Sequence, residues 1–547
     1  MAAPASTRRQ LGLGALAAAA AAAAPAAVRA AGGPGGYSVS GKKGPFVRQV
    51  AGRPFTMASG DAGSMGLATD SISLGRYQTA RLRMPQTEAR VAALLARLDG
   101  QWPYAKGRPL QVHILGVDYY NAYSLPDGSI VVAFGLLDQA QSDDEVAFVL
   151  AHELGHVRLG HFAERVAPRP KPKLASALGQ LYLVSAAVHA VGTSSTVLNA
   201  ATEAGATNDL IHFLSNVMVE PDHTRAQEDE ADCIGYDLSQ AAAYSADSAS
   251  ARVFDTIQAD QQKHQAVIDT LGSQLKSQLG HAISDGSAAS FLTGGAANMR
   301  TSLLAGGTRL ALGMAAAGSA REPPPQHRPP EERKRGMAQY SADAYPDGAP
   351  LRDEQHGWLA GVRATAEFAE AKAAVGAVSE AQKARAEGHY PEARAAIQRA
   401  MSTKFAGAPL VLNEAARLAD DMGDRPGAEK LFHQANASPD QTVGGFIDYV
   451  RMLYRAQQNE RAMSALEAGV NRFGGDEKPF ISLRIAIARQ AGHDDDVQAS
   501  LQRCLGYDNE ALAKDCRLAA GQTADAAPQS SPQPRLPSLP FGLPHFP

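Results

Sequence analysis

His152 and His156 stand four positions apart, with a carboxylate directly after the first: His152-Glu153-Leu154-Gly155-His156. On a helix, positions i and i+4 share a face, so both imidazoles can reach one ion. Further along, Glu228-Asp229-Glu230-Ala231-Asp232 supplies candidate carboxylates. Two imidazoles and one carboxylate leave a fourth position open, the donor set of a catalytic zinc. Zinc lowers the pKa of water toward about 7, and a carboxylate beside it can take the proton and return it to a leaving amine. The residues therefore predict one Zn2+ per chain, held by His152, His156 and one carboxylate of the 228–232 stretch. Glu153 is the expected base, and the chemistry is peptide-bond hydrolysis.

These side chains need rigid elements behind them. A helix is expected from Ser142 to about His161, because Ser142 and Glu145 form a Ser-x-x-Glu capping box ahead of an apolar run. A second is expected from Arg225 to about Ala243, carrying Glu228 and Asp232. Upstream, Val91, Leu94, Leu95 and Leu98 recur at helical spacing and predict a helix over Gln86–Leu98. Two short strands are expected. Leu110–Val117 alternates, with Leu110, Val112 and Ile114 on one side, and Ser129–Phe134 follows the turn Pro126-Asp127-Gly128.

Three segments together resemble the M48 metallopeptidases: Asn121 to Val132, Gly135-Leu136, and Asp143 to His156. Glu228-x-x-Ala231-Asp232 is similar to that family's E-x-x-A-D motif. The resemblance covers roughly residues 80 to 335. It implies that Glu228 is the third zinc ligand and that Asp232, one turn on, orients a ligating histidine. His327-Arg-Pro-Pro-Glu-Glu-Arg333 resembles the family's H-P-P-x-x-E-R segment, with Arg328 where the family has Pro. By that likeness His327 either donates a hydrogen bond to the reacting oxygen or plugs the zinc. Zinc peptidases of this architecture commonly hold substrate as an added strand. That points to Ser129, Ile130, Val131, Val132, Ala133 and Phe134 as the peptide-binding edge.

Other candidates carry less chemistry. His161 falls roughly 140° from His156 on an ideal helix and reads as structural or surface. His113, His189 and His212 have no partners in sequence. Cys233, beside Asp232, reads as a small buried hydrophobe. Cys504 and Cys516 are spaced for pairing across adjacent helices in an oxidising compartment, which the sequence leaves open.

The remainder of the chain places this site. Arg8 and Arg9, the apolar run Leu11–Ala24 and Val28-Arg29-Ala30 have the basic, apolar, small-residue order of an export signal over 1–30. Thr7-Arg8-Arg9 resembles a twin-arginine motif, so the expected location is the periplasm. Residues 31–75 form an irregular lead-in. Residues 76–340 form the peptidase domain, with an Ala/Gly-rich helical insertion around 240–320 and an amphipathic helix expected at Leu174–Ala201, either over the active site or leaning on a membrane surface. Prolines and charges over 319–350 read as a linker, and 341–379 as linker and first helix.

From there the sequence repeats. Gly388, Gly423, Gln457 and Gly492 open similar hexamers ending in Ala393, Ala428, Ala462 and Val497, at offsets of 35, 34 and 35 residues. A period near 34 resembles tetratricopeptide helix pairs. Residues 380–520 are therefore expected to stack as repeats that bind a protein partner, before a disordered tail over 521–547. The fold class is α+β and zincin-type, mostly helical with a small sheet, followed by an all-α repeat solenoid. With this architecture the resemblance narrows to a periplasmic branch of the family. A net charge of −4 shows no basic excess, so nothing in the composition points to a nucleic-acid binder. Polypeptides are the expected substrate. The rival reading is a chaperone or assembly factor with a silent zinc site.

Overall fold

The computed structural model describes residues 44–50, 81–104, 110–125, 128–161, 224–259, 328–347, 357–473 and, with short gaps, 475–522. The expected export signal, the Leu174–Ala201 stretch, His327 and the C-terminal tail lie outside the described residues, as does most of the 240–320 insertion.

The peptidase region opens with helix α1 (Pro85–Asp99), which buries Val91, Leu94, Leu95 and Leu98 on one face. A three-stranded sheet follows: β1 (Gln111–Leu115), β2 (Ala122–Ser124) and β3 (Ser129–Ala133). Two strands were expected and three form. Their order is β1-β3-β2, so β3 is central, parallel to β1 and antiparallel to β2. Alternation sorts its side chains: Ile130 and Val132 join the main core with Val112 and Ile114. Val131 and Ala133 face a smaller cluster with Tyr123 and Leu125. The chain then turns directly into a short helix α2 (Phe134–Gln139), which the sequence reading did not contain.

Helix α3 (Asp143–Leu159) carries the His-Glu-x-x-His segment. Ser142 caps it as expected, its Oγ accepting from the Glu145 N–H at 3.3 Å. The Glu145 carboxylate turns to the Gln141 N–H at 3.1 Å. Helix α3 is buried nearly all round, which marks it as the central helix. Helix α4 (Arg225–Ala241) packs across it, opened by a complete capping box between Thr224 and Gln227. Glycines make the crossing close. A Cβ on Gly235 would lie 3.1 Å from the His152 backbone nitrogen, and one on Gly155 would lie 3.3 Å from the Ala231 Cα. A mid-helix glycine costs about 1 kcal/mol relative to alanine, so its use here follows from the approach of the two helices.

The stretch 319–350 is not simply a linker. It contains helix α6 (Pro330–Ala344), which follows α5 (246–259) among the described elements. Pro330 sits in its first turn, where its missing N–H costs nothing, and Arg333, Met337 and Tyr340 are buried. Helices Trp358–Arg363 and Ala366–Ala386 continue into the repeats and share the peptidase core through Leu359, Val362 and Phe368. Asp143, the first residue of α3, accepts from the Trp358 and Leu359 N–H groups at 2.7 and 2.8 Å. Glu367 accepts from Thr87 in the first turn of α1 at 2.8 Å.

The C-terminal region consists of helix pairs, as the period predicts. Gly388, Gly423, Gln457 and Gly492 each take positive φ, at 75°, 83°, 58° and 76°, between the paired helices. Ala393, Ala428, Ala462 and Val497, five residues later, are fully or almost fully buried. The recurring small residue therefore lets the helices of a pair approach. The last helices are stitched by a Cys504–Cys516 disulfide. Among the described residues, no helix is long and apolar enough to cross a membrane.

Candidate active site

Helix α3 presents His152 and His156 on one face, and α4 brings Glu228 against them. Their ligand atoms all lie within 4.8 Å of one another. Glu228 Oε2 is 3.5 Å from His152 Nε2, and Glu228 Oε1 is 3.5 Å from His156 Nε2. The two Nε2 atoms are 3.1 Å apart. All three side chains are largely withdrawn from solvent. This donor set of two imidazoles and one carboxylate fits a zinc ion and leaves a coordination position for substrate or water.

Asp232 stands one turn beyond Glu228, its Oδ1 2.9 Å from His152 Nδ1. Arg333, from α6, forks onto the same carboxylate: Nε donates to Oδ2 at 2.9 Å and Nη2 to Oδ1 at 2.6 Å. Burial would raise the Asp232 pKa. Arg333 and His152 outweigh it and hold the carboxyl down at about 2. The orienting role implied for Asp232 thus has a visible geometry, and Arg333 braces it. In the metal-free protein burial opposes the His152 imidazolium. Asp232 and Glu228 nonetheless raise its pKa to about 10.

Glu153 meets the sheet at β2 while still interacting electrostatically with His152 and Glu228. Its Oε2 accepts from Ser124 Oγ at 2.9 Å, at the end of β2. Burial pushes its carboxyl up to about 7, against the lowering pull of His152 and Ser124. A carboxylate poised near neutrality can both accept and return a proton.

One expectation is overturned. Ser129–Phe134 cannot offer a free edge, because β1 and β2 occupy both sides of β3 and Phe134 already begins α2. The strand that borders Glu153 is β2, through Ser124.

The sequence reading also missed partners that the fold supplies. Arg328 forks onto Asp229 at 2.8 and 2.9 Å, so a second arginine of the 327–333 segment grips α4. His161, read as structural or surface, is buried against His156, their Nδ1 atoms 2.9 Å apart. Gly160 is the signal that could have revealed it. It ends α3 at φ 69°, so helical phase does not apply to the next residue. Cys233 is buried, as expected of a small hydrophobe.

The same region matches known proteins. Peptidase family M48 matches residues 85–294. Mitochondrial metalloendopeptidase OMA1 of Arabidopsis thaliana is 31% identical over 141 residues, 26% of this chain and 24% of that protein. Metalloprotease LoiP of Escherichia coli is 29% identical over 136 residues, 24% of this chain and 45% of that protein. A putative beta-barrel assembly-enhancing protease of Vibrio cholerae is 35% identical over 118 residues, 21% of this chain and 22% of that protein. The chain spans less than half the length of these curated relatives. Matched residues and converging side chains coincide, and the chain therefore carries a metalloprotease domain of peptidase family M48.

Proposed function

We propose that this chain is a zinc-dependent endopeptidase acting on exported polypeptides in the cell envelope. The observation that carries the reading is the meeting of His152, His156 and Glu228 beside a buried Glu153. When bound, zinc would supply a Lewis acid for the scissile carbonyl and acidify a water toward neutral pKa. Glu153 takes a proton at its carboxylate and delivers it to the departing amine. Ser124 holds that carboxylate in place by its hydroxyl. Asp232 and Arg333 fix the ring of His152, so the ligand face is set before metal arrives.

Three observations support the envelope. The N-terminal residues have an export order, and relatives include proteins named for β-barrel assembly. The Cys504–Cys516 disulfide suits an oxidising compartment such as the periplasm. The helix pairs over 380–520 would give a protein partner a surface to dock on. Cross-linking a Glu153→Gln protein to a trapped target should map there. Cross-links confined to residues 85–294 would remove the partner role.

The test of the metal is direct. Purified protein should hold about one zinc per chain. Glu228→Ala should lose most of it. Wild-type protein without zinc, or Glu228→Ala protein with a full complement, would contradict the reading.

A further inference from the structure

The turn that ends α3 places a third histidine against the ligand set. Gly160 adopts the left-handed conformation, and the His161 N–H donates back to the His156 carbonyl at 3.1 Å. The chain therefore folds beneath His156. His161 lies edge to face with it, ring centroids 5.0 Å apart at 75°. Its Nδ1 is 2.9 Å from His156 Nδ1, and its Nε2 is 3.3 Å from Glu230 Oε2 on α4. The Gln227 amide donates to the His161 carbonyl at 3.4 Å, tying the turn to the start of α4. The His161 side chain is 1% exposed and that of Glu230 is 15% exposed.

Bonding rules fix where the protons sit once His156 is a ligand. Its Nε2 faces Glu228 and His152, so Nε2 is the coordinating atom and carries no proton. The proton is then on Nδ1, aimed at His161 Nδ1. That nitrogen must accept, which places the His161 proton on Nε2, where it donates to the Glu230 carboxylate. We propose that His161 and Glu230 form a positioning relay for His156, an N–H···N then N–H···O chain that fixes the ligand's tautomer and ring orientation. Asp232 does this for His152 directly. His156 reaches its carboxylate through an intervening imidazole. Glu228, Glu230 and Asp232 thus divide three tasks within one short stretch of α4: ligand, support of one histidine, support of the other. The proposal rests on reading His152, His156 and Glu228 as a metal site.

The experiment measures zinc affinity of the full chain by competition with a chromophoric chelator, alongside the unfolding midpoint of the metal-free protein. Removing an outer partner of a ligating histidine typically weakens metal binding about 10–100-fold. His161→Ala and Glu230→Ala should each weaken zinc by about that much in protein that the unfolding curve shows to be folded under the assay conditions. The double variant should be no weaker than the worse single, since both cut one relay. Glu230→Gln should recover most of the affinity, because its amide oxygen still accepts from His161. Cobalt-substituted protein should show altered d–d absorption in His161→Ala. Wild-type zinc affinity in either alanine variant, or losses that multiply in the double variant, would overturn the relay. If His161→Ala does not fold, the Glu230→Ala and Glu230→Gln pair decides, and equal losses in the two would overturn it. Wild-type protein that binds no zinc would overturn the metal reading itself, a result separate from any variant's behaviour.

Discussion

Arg333→Met should separate the structural and metal-holding roles of the brace behind His152. Asp232 is fully buried and Arg333 is 9% exposed, joined by two hydrogen bonds of 2.6 and 2.9 Å. The Asp232 pKa falls from 3.8 to about 2 on folding. That shift corresponds to roughly 2 kcal/mol favouring the ionised, folded form. Arg333 and His152 share that gain, so without Arg333 part of it is lost and the buried carboxylate keeps only His152 for compensation. Breaking such a pair costs about 3–5 kcal/mol. Met keeps part of the packing that Arg333 makes over the Phe254 ring, 4.6 Å away, so the loss reports mainly the charge. The sign with pH follows from the depressed folded pKa. The contribution is complete above the unfolded value of 3.8 and is lost as pH falls toward about 2, so the two proteins converge in acid. Urea unfolding of metal-free protein at neutral and acidic pH measures this. Adding Asp232→Asn removes the orphaned charge and should restore most stability, while zinc affinity stays about 10–100-fold weak. A loss below about 1 kcal/mol for Arg333→Met at neutral pH would refute the reasoning, because it would show that the buried carboxylate does not depend on Arg333 beside His152.

Zinc binding at neutral pH should release about one proton from His152, whose metal-free pKa is raised to about 10 by Asp232 and Glu228 against its burial. Apparent affinity should therefore rise with pH until that value is passed. Calorimetry in buffers of different ionisation enthalpy counts the proton, and none released would contradict the geometry. Denatured, unreduced protein should show one reactive thiol, Cys233, and reduction should expose all three. Replacing Cys504 and Cys516 with Ala should cost roughly 2–3 kcal/mol in the last helix pairs and leave zinc content unchanged; three thiols before reduction would remove the disulfide. His327→Ala should change peptide hydrolysis with zinc retained. A rise marks a plug and a fall of about a hundredfold marks a donor, whereas unchanged hydrolysis would withdraw both roles.

The two halves of the metal site differ in how they could be read from sequence. His152, Glu153 and His156 are legible because helical geometry alone places them. Glu228 needs a second helix to arrive, and only a motif announces it. The groups behind them are not legible in the same way. Arg333 reaches Asp232 across 101 positions, His161 reaches Glu230 across 69, and Ser124 reaches Glu153 across 29. No local periodicity encodes such contacts. Strand order is hidden for a related reason. β3 reads as a buried apolar run, but alternation cannot tell a central strand from an edge, and β2 is only three residues long. Prolines misdirected the reading of 319–350. Pro329 and Pro330 are the start of α6, where proline is favoured, and charge around them suggested a linker although Arg333 is buried. The repeat turns were legible because similar hexamers recur at a near-constant interval, three of them opened by a glycine that takes positive φ. The attachment of the repeats to the peptidase core was not, because it runs through scattered apolar contacts such as Phe134 on Phe368, 4.7 Å apart.

The central claim is tested most directly by Glu153→Gln. The substitution removes the base and leaves His152, His156 and Glu228 untouched. Zinc content and hydrolysis of an unfolded polypeptide should be measured on the same preparation as wild type. The account predicts about one zinc per chain in both proteins and cleavage slowed by about a hundredfold or more in the variant. Cleavage at the wild-type rate by zinc-loaded Glu153→Gln protein would contradict it.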